Sequence, residues 1–419
     1  MDFKKKRWIS LYVGFAIEAL AGNGYAWSVY QTPLVEKYGW SISQVSSAYT
    51  MAFISGMFLS LFLGARLRKM FKTRTEVLLG GLCYGGAIFL MSQMTGQIWQ
   101  LYILHGFLSS LGVCMTYPVL IAYSQEIFPE RPGFAGGTMA AGYGLGAVIW
   151  APLATKIYTT TGDISYSFFY LGLVFIGGMV LLSLFLYTPP AGFRDRMIAE
   201  AGADIKVGGA KTRALVYDVD KPQLIRTPLF YMMMVSMTLG IACGGMIINQ
   251  GSPIVQLKFD MAATAAATVV SMLAVGNTIG RFLWGYISDR IGKVETVKIL
   301  HSLMAFFMLM LLILDNKILF VLMLMGTTFC YGGLACLLAP VTGELFGNRN
   351  ISANYSVAYT AYGLSALIGP LVIANVRQTT GEYTFGYVFA IAFSLVALAV
   401  ALGIERKANK IREEGMLQQ

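Results

Sequence analysis

The stretch Leu273-Ala-Val-Gly-Asn277-Thr-Ile-Gly280-Arg281-Phe-Leu-Trp284-Gly285-Tyr-Ile-Ser-Asp289-Arg290-Ile-Gly292-Lys293 places an arginine inside a run that otherwise reads as a membrane-spanning helix. A bare guanidinium in hydrocarbon is costly. Insertion scales put it at about 2.5–3.5 kcal/mol, so an intramembrane Arg by default faces a polar cavity with a partner. Arg281 precedes Asp289, where charge resumes, by roughly 12 Å of helix at about 1.5 Å per residue. That depth lies well inside a bilayer. Asn277, one turn earlier on the same face, is placed to orient the guanidinium or to share a ligand with it.

The surrounding composition agrees with a membrane. The chain has 419 residues, of which 56 % are hydrophobic and 12 % charged, and its mean hydropathy is +0.64. A soluble globular protein is not built this way. Twelve apolar runs, each long enough to cross a hydrocarbon layer of about 30 Å, fall at about 8–30, 44–64, 76–94, 98–125, 134–158, 166–187, 228–250, 262–288, 296–314, 317–343, 352–376 and 383–404. The expected fold class is therefore all-α and integral to the membrane, with twelve transmembrane helices.

The net charge of +10 does not indicate a nucleic-acid partner, because of where the charge lies. With both termini in the cytoplasm, 25 of the 31 Lys and Arg fall inside and 5 outside, leaving Arg281 within the membrane. That is the positive-inside pattern, and it predicts a multi-pass protein of the cell (inner) membrane. Lys4, Lys5, Lys6 and Arg7 anchor the first span, and no secretory cleavage site follows it. The five cysteines lie in spans and none forms a CxxC, so neither a disulfide framework nor a metal site is indicated and no cofactor is expected.

Within the spans, Glu18 is the one carboxylate deep in the membrane, about 15 Å from the basic start. Burial disfavours the charged form of such a group, which makes Glu18 the proton-coupling candidate. Gly22, Asn23 and Gly24 loosen the first helix before Tyr25, which at seven residues' separation shares a face with Glu18. His105 in the fourth span reads as a packed interhelical residue. Tyr117 sits at mid-depth beside Pro118, where its hydroxyl requires a polar partner. The Gly142-Tyr-Gly-Leu145-Gly146 run has no strand before it and reads as a close helix crossing rather than a dinucleotide loop.

The chain divides into 1–187, a first six-helix half; 188–227, a polar cytoplasmic linker; 228–404, a second six-helix half; and 405–419, a cytoplasmic tail. The halves repeat. Glu126-Ile-Phe-Pro-Glu-Arg131 recurs as Glu344-Leu-Phe-Gly-Asn-Arg349, Tyr143-Gly-Leu-Gly-Ala147 as Tyr362-Gly-Leu-Ser-Ala366, and Gly64 answers Gly285. Nearly constant offsets imply two pseudo-symmetric halves of equal orientation, with a substrate site expected between them. The counterpart of Arg281 is near Ser60, and no basic residue lies there. The scaffold alone does not require the arginine, which points to a ligand.

These features resemble the major facilitator superfamily, whose loop motif matches Gly285-Tyr-Ile-Ser-Asp289-Arg290-Ile-Gly292-Lys293. The copy in the first half departs from it, with Arg68 where that family usually has Asp and Phe71 where it has Gly. Within the superfamily the chain looks like the oxalate:formate antiporter and monocarboxylate transporter group. The matching parts are Asn277-x-x-x-Arg281, Tyr117 eleven residues before Phe128-Pro129, Ala141-Gly-Tyr-Gly-Leu145-Gly146 and Arg226-Thr-Pro-Leu-Phe230. The resemblance implies that Arg281 binds a substrate carboxylate, that Tyr25, Tyr117, Tyr331, Tyr359 and Tyr362 with Leu145 and Asn277 line the cavity, and that Gly285, Asp289, Arg290, Gly292 and Lys293 form a gating loop. The oxalate carrier of that group has a lysine where Tyr362 stands here, so a monoanion is expected.

The expected function is secondary transport of a small monocarboxylate of the lactate, pyruvate or formate type. Proton coupling is expected, and the alternative is exchange of carboxylates without a proton. An enzyme would need a cluster of His, Asp and Glu or a nucleophile with its base, and the two histidines are scattered. Partners are then the small carboxylate, protons and the lipid bilayer, with no nucleic acid, and a monomer is expected.

Overall fold

The computed structural model describes residues 3–194, 196–197 and 219–416. Residue 195 and residues 198–218 of the expected linker, and 417–419 of the expected tail, lie outside the described residues. Among the described residues there is no strand, and twelve long helical rods follow one another. They are α1 (3–38), α2 (42–70), α3 (Thr73–Met91), α4 (Ile98–Ile127), α5 (Pro132–Thr161) and α6 (Ile164–Ser183), then α7 (Pro228–Phe259), α8 (Ala263–Ile291), α9 (Lys293–Ile313), α10 (Lys317–Phe346), α11 (Ile351–Thr380) and α12 (Thr384–Met416).

Eight of these rods are long and apolar enough to cross a membrane by length and composition alone. α1 carries Glu18 and Asn23, α8 carries Asn277 and Arg281, and α5 carries the glycine run, so polar and small residues lie within the rods.

The chain forms two compact units, one of residues 1–129 with 138–198 and one of residues 130–137 with 199–419. In the first unit, α1 and α5 cross backbone to backbone. A Cβ on Gly146 would stand 2.4 Å from the Gly22 backbone, and one on Gly142 would stand 2.2 Å from the Phe15 carbonyl oxygen. The glycine run is thus the helix crossing that its sequence context predicts, and small residues permit such approach in membranes.

Three rods change pitch inside this unit, α2 among them with a π-helical turn over Ser60–Gly64. α1 tightens to a 3₁₀ turn over Gly22–Ala26, and its loosened carbonyls are served by side chains: Tyr84 Oη donates to Ala21 O at 2.9 Å and Trp150 Nε1 to Ala19 O at 2.6 Å. Tyr30 Oη donates to Asn23 Oδ1 at 2.6 Å. α4 widens to a π-helix over Tyr102–Ser109. Backbone groups freed at such irregularities require partners within the protein, because lipid supplies none.

In the second unit, α8 and α10 are equally close. A Cβ on Gly280 would meet the Phe329 carbonyl oxygen at 2.1 Å, and one on Gly332 the Asn277 carbonyl oxygen at 2.2 Å. In the last rod, α12 continues as helix through the expected tail to Met416. Glu405-Arg-Lys-Ala-Asn-Lys-Ile-Arg412 is made largely of good helix formers. Ile404 and Ala408 are buried, and Glu405 Oε2 pairs with Lys298 Nζ at 2.5 Å.

Gly146→Val is expected to lower the stability of the detergent-purified protein by at least about 1–3 kcal/mol, the usual cost of overpacking. Gly86→Ala, whose Cβ would meet nothing within 4 Å, serves as the control. Thermal unfolding of both variants measures the difference, and equal midpoints would remove the crossing as the reason for these glycines.

Candidate functional site

Arg281 is the largest fully buried side chain of the described residues, 1 % exposed within α8. Its Nε donates to Asn277 Oδ1 at 3.2 Å, the one-turn pairing that the sequence spacing predicts. Asn277 is buried as well. A Cβ on Gly332 of α10 would stand 2.2 Å from the Asn277 carbonyl oxygen and 3.0 Å from the Arg281 backbone nitrogen, and Tyr331 is the residue before this glycine. A Cβ on Gly244 of α7 would stand 2.3 Å from the Tyr331 Cβ, so the tyrosine is clamped from that side.

Tyr359 and Tyr362 lie on α11 with ring centroids 5.1 Å apart, and Tyr355 joins them at 6.0 Å from Tyr359. The Tyr362 hydroxyl donates to the backbone carbonyl of Ala335 on α10. Its proton is committed to the scaffold.

The loop residues sit at the end of the same rod. Asp289 Oδ1 accepts from the Gly133 N–H at 2.9 Å and Oδ2 from the Phe134 N–H at 2.7 Å, so one carboxylate caps the first turn of α5. A helix N-terminus holds N–H groups without intrahelical partners and favours an anion. Gly285 permits this approach, since a Cβ there would stand 2.4 Å from the Gly133 carbonyl oxygen. Lys293 Nζ also reaches Asp289 Oδ1 at 2.9 Å, and the Lys293 N–H donates to Glu344 Oε2 at 3.2 Å. Gly292 joins α8 to α9 at φ +101°, a conformation that favours glycine. The Arg290 guanidinium lies over the Tyr286 ring, 4.4 Å from its centroid.

In the first unit, Tyr117 is buried on α4 and Tyr25 is half-buried on α1. Between them stands Tyr143 of α5, edge-on to Tyr25 at 5.1 Å and to Tyr117 at 5.2 Å. Tyr143 is absent from the residues singled out by sequence, although its match to Tyr362 across the repeat was a signal for it. Leu145 is half-buried two residues further on. Glu18 is fully buried, its Cβ 3.2 Å from where a Gly142 Cβ would be. Glu18 and Tyr25 both meet α5, Glu18 beside Gly142 and Tyr25 against Tyr143. The 3₁₀ turn between them advances about 120° per residue instead of about 100°.

Arg68, where the loop motif usually has Asp, pairs with Glu76 at 3.0 Å. The first-half loop thus folds its cation onto a carboxylate of its own unit.

With this geometry in place, the comparisons with known proteins are direct. Residues 11–370 match the Major Facilitator Superfamily, and the chain belongs to that superfamily. It is a multi-pass membrane transporter of a small molecule and not an enzyme. It is 25 % identical over 409 residues to the oxalate:formate antiporter of Oxalobacter formigenes, covering 94 % of this chain and 90 % of that protein. Against human monocarboxylate transporter 12 it is 24 % identical over 380 residues, covering 84 % and 71 %. Among solved structures, the proton:xylose symporter XylE bound to 6-bromo-6-deoxy-D-glucose has a TM-score of 0.73 at 14 % identity, covering 94 % of this chain and 95 % of that one. A bacterial homologue of the iron transporter ferroportin has a TM-score of 0.70 at 13 % identity, covering 97 % and 100 %. At these identities the structural likeness shows the fold alone.

Asp289→Ala is expected to destabilise the protein by about 1–3 kcal/mol, because two backbone donors lose a charged acceptor. Lys293→Ala, which leaves both of those bonds in place, is expected to cost less. Thermal unfolding in detergent ranks the two, and the reverse order would show that the cap contributes little.

Proposed function

We propose that the protein is a secondary transporter of small monocarboxylates of the lactate, pyruvate or formate type, coupled to protons and working by alternating access. The observation that carries this reading is the buried Arg281 held by Asn277, since the planar guanidinium fork matches a carboxylate bidentately. The names of the relatives at 24–25 % identity are those of carboxylate carriers. Tyr331 and Tyr359 present aromatic surface to a short carbon chain, and the Tyr25, Tyr143 and Tyr117 cluster is the first unit's contribution to recognition. Glu18 carries the coupled proton. Asp289 on the first turn of α5 acts as the latch of the gating loop. The excess of Lys and Arg on one set of loops supports an inner-membrane protein with both termini in the cytoplasm, organised as two six-helix halves joined by a linker and acting as a monomer.

A second reading, exchange of carboxylates without a proton, is favoured by the likeness to an oxalate:formate antiporter. The two differ in what drives accumulation. Uptake of labelled acids into proteoliposomes, with and without an imposed pH gradient, separates them.

Arg281→Lys is expected to abolish uptake while leaving the protein in the membrane, because the charge remains and the fork geometry is lost. Near-normal uptake by this variant would sink the clamp. Glu18→Gln is expected to retain exchange and lose gradient-driven accumulation, since the amide imitates a permanently protonated acid. Survival of gradient-driven uptake in Glu18→Gln would move the proton elsewhere or remove it.

A further inference from the structure

Two of the irregular stretches of the first unit meet at a pair of rings. Trp27 follows directly on the 3₁₀ turn of α1, and His105 lies in the π-helical stretch of α4. Their rings stack with centroids 3.8 Å apart and 15° between planes. Both are buried, Trp27 being 3 % and His105 6 % exposed. Among the described residues, neither His105 Nδ1, nor His105 Nε2, nor Trp27 Nε1 has a hydrogen-bond partner. Whichever tautomer the imidazole adopts, this leaves two donors and one acceptor unmet. Buried polar atoms are nearly always paired, so an unpaired set calls for a reason.

Packing alone does not supply that reason. A phenylalanine at 105 would fill the stack without the polar atoms, and the expected interhelical hydrogen bond from His105 is not made among the described residues. π-helical turns occur frequently at functional sites. The indole face is electron-rich and attracts a cation placed over it.

The titratable groups on the elements around His105 are few. α2 brings Tyr49, and α3 brings Cys83 and Tyr84, with Arg74 and Glu76 at its far end. α1 brings Tyr25 and Tyr30, with Glu18 beyond the 3₁₀ turn and Glu36, Lys37 and Tyr38 further along. α4 itself adds Tyr102, Cys114, Tyr117, Tyr123 and Glu126, and α6, reached through the Tyr30–Phe168 contact, adds Tyr166 and Tyr170. Three of the carboxylates on or beside these elements have named partners: Glu76 with Arg68 at 3.0 Å, Asp163 with Lys37 at 2.6 Å, and Glu36 as acceptor from the Tyr158 hydroxyl at 3.0 Å. The indole is the group that faces the imidazole.

We propose that His105, stacked on Trp27, is a proton-binding site of this transporter, a second station on the same unit as Glu18. The imidazole lone pair takes up a proton when the stack is opened to water and releases it on the return, forming no bond to the substrate. The inference rests on the proton-coupled reading of transport.

Two measurements test it. The chain has two histidines, so isotope-labelled histidine in a His301→Asn background reports on His105 alone by NMR. His105 is expected to change protonation state across the pH range in which the protein is stable, and Trp27→Leu is expected to shift that midpoint through loss of the indole face. In proteoliposomes, His105→Gln is expected to keep counterflow of labelled lactate within about twofold and to lose about tenfold or more of the accumulation driven by a pH gradient, a loss equivalent to removing the proton as driving ion. An imidazole that stays in one protonation state across the range, a midpoint unmoved by Trp27→Leu, or full gradient-driven uptake by His105→Gln overturns the proposal. Should His105→Gln fail to reach the membrane, the titration and its response to Trp27→Leu decide. Should the wild type take up no lactate while His105 titrates as expected, the carboxylate reading falls and the proton site stands.

Discussion

Everything in each unit depends on helices touching backbone to backbone. In lipid, apolar side chains gain nothing by leaving the solvent for one another, so helix association relies on close packing and on polar contacts. Glycine permits both. Where Gly146 meets Gly22, and where Gly332 meets Asn277, a single methyl group would hold the rods apart. The same closeness brings the side chains flanking those glycines, Tyr143 in one unit and Tyr331 in the other, up against the neighbouring rod.

The buried guanidinium of Arg281 is the energetic counterpart of that packing. A charge so placed must have directional partners, and Asn277 supplies one without neutralising it. Arg68 pairs with the carboxylate of Glu76, and the Arg281 Nε donates to a neutral amide.

Much of this was legible in the residues. Twelve apolar runs, their charge asymmetry and the glycine spacing reveal the fold, because in a bilayer length and hydropathy are set by the solvent. Arg281 with Asn277 was legible because a helix keeps residues four apart on one face. Where the period changes, the reading fails. Gly22 and Gly24 announce that α1 loosens, yet nothing local says that it tightens to 3₁₀. Tyr362 was readable as an aromatic residue at the repeat position, but the carbonyl its hydroxyl chooses, Ala335, belongs to another rod. The helix past residue 405 was hidden for a similar reason. A polar segment reads as a tail until the burial of Ile404 and Ala408 is known.

The commitment of Tyr362 bears on selectivity. On the reading proposed above, the carboxylate bound by Arg281 is the first to be desolvated. A second carboxylate on the same substrate would require its own partner, because breaking a buried charge away from compensation costs more than a surface pair gains. In the oxalate carrier group that role falls to a lysine at the position of Tyr362. Here the phenol at that position already donates to a carbonyl, and a phenol oxygen offers an anion only lone pairs once its proton is used. On the proposed reading, discrimination against dianions needs no steric gate. It would follow from a hydroxyl whose single hydrogen is spent on holding α11 to α10, so that the contact securing the helix would also set which acids are left without a partner.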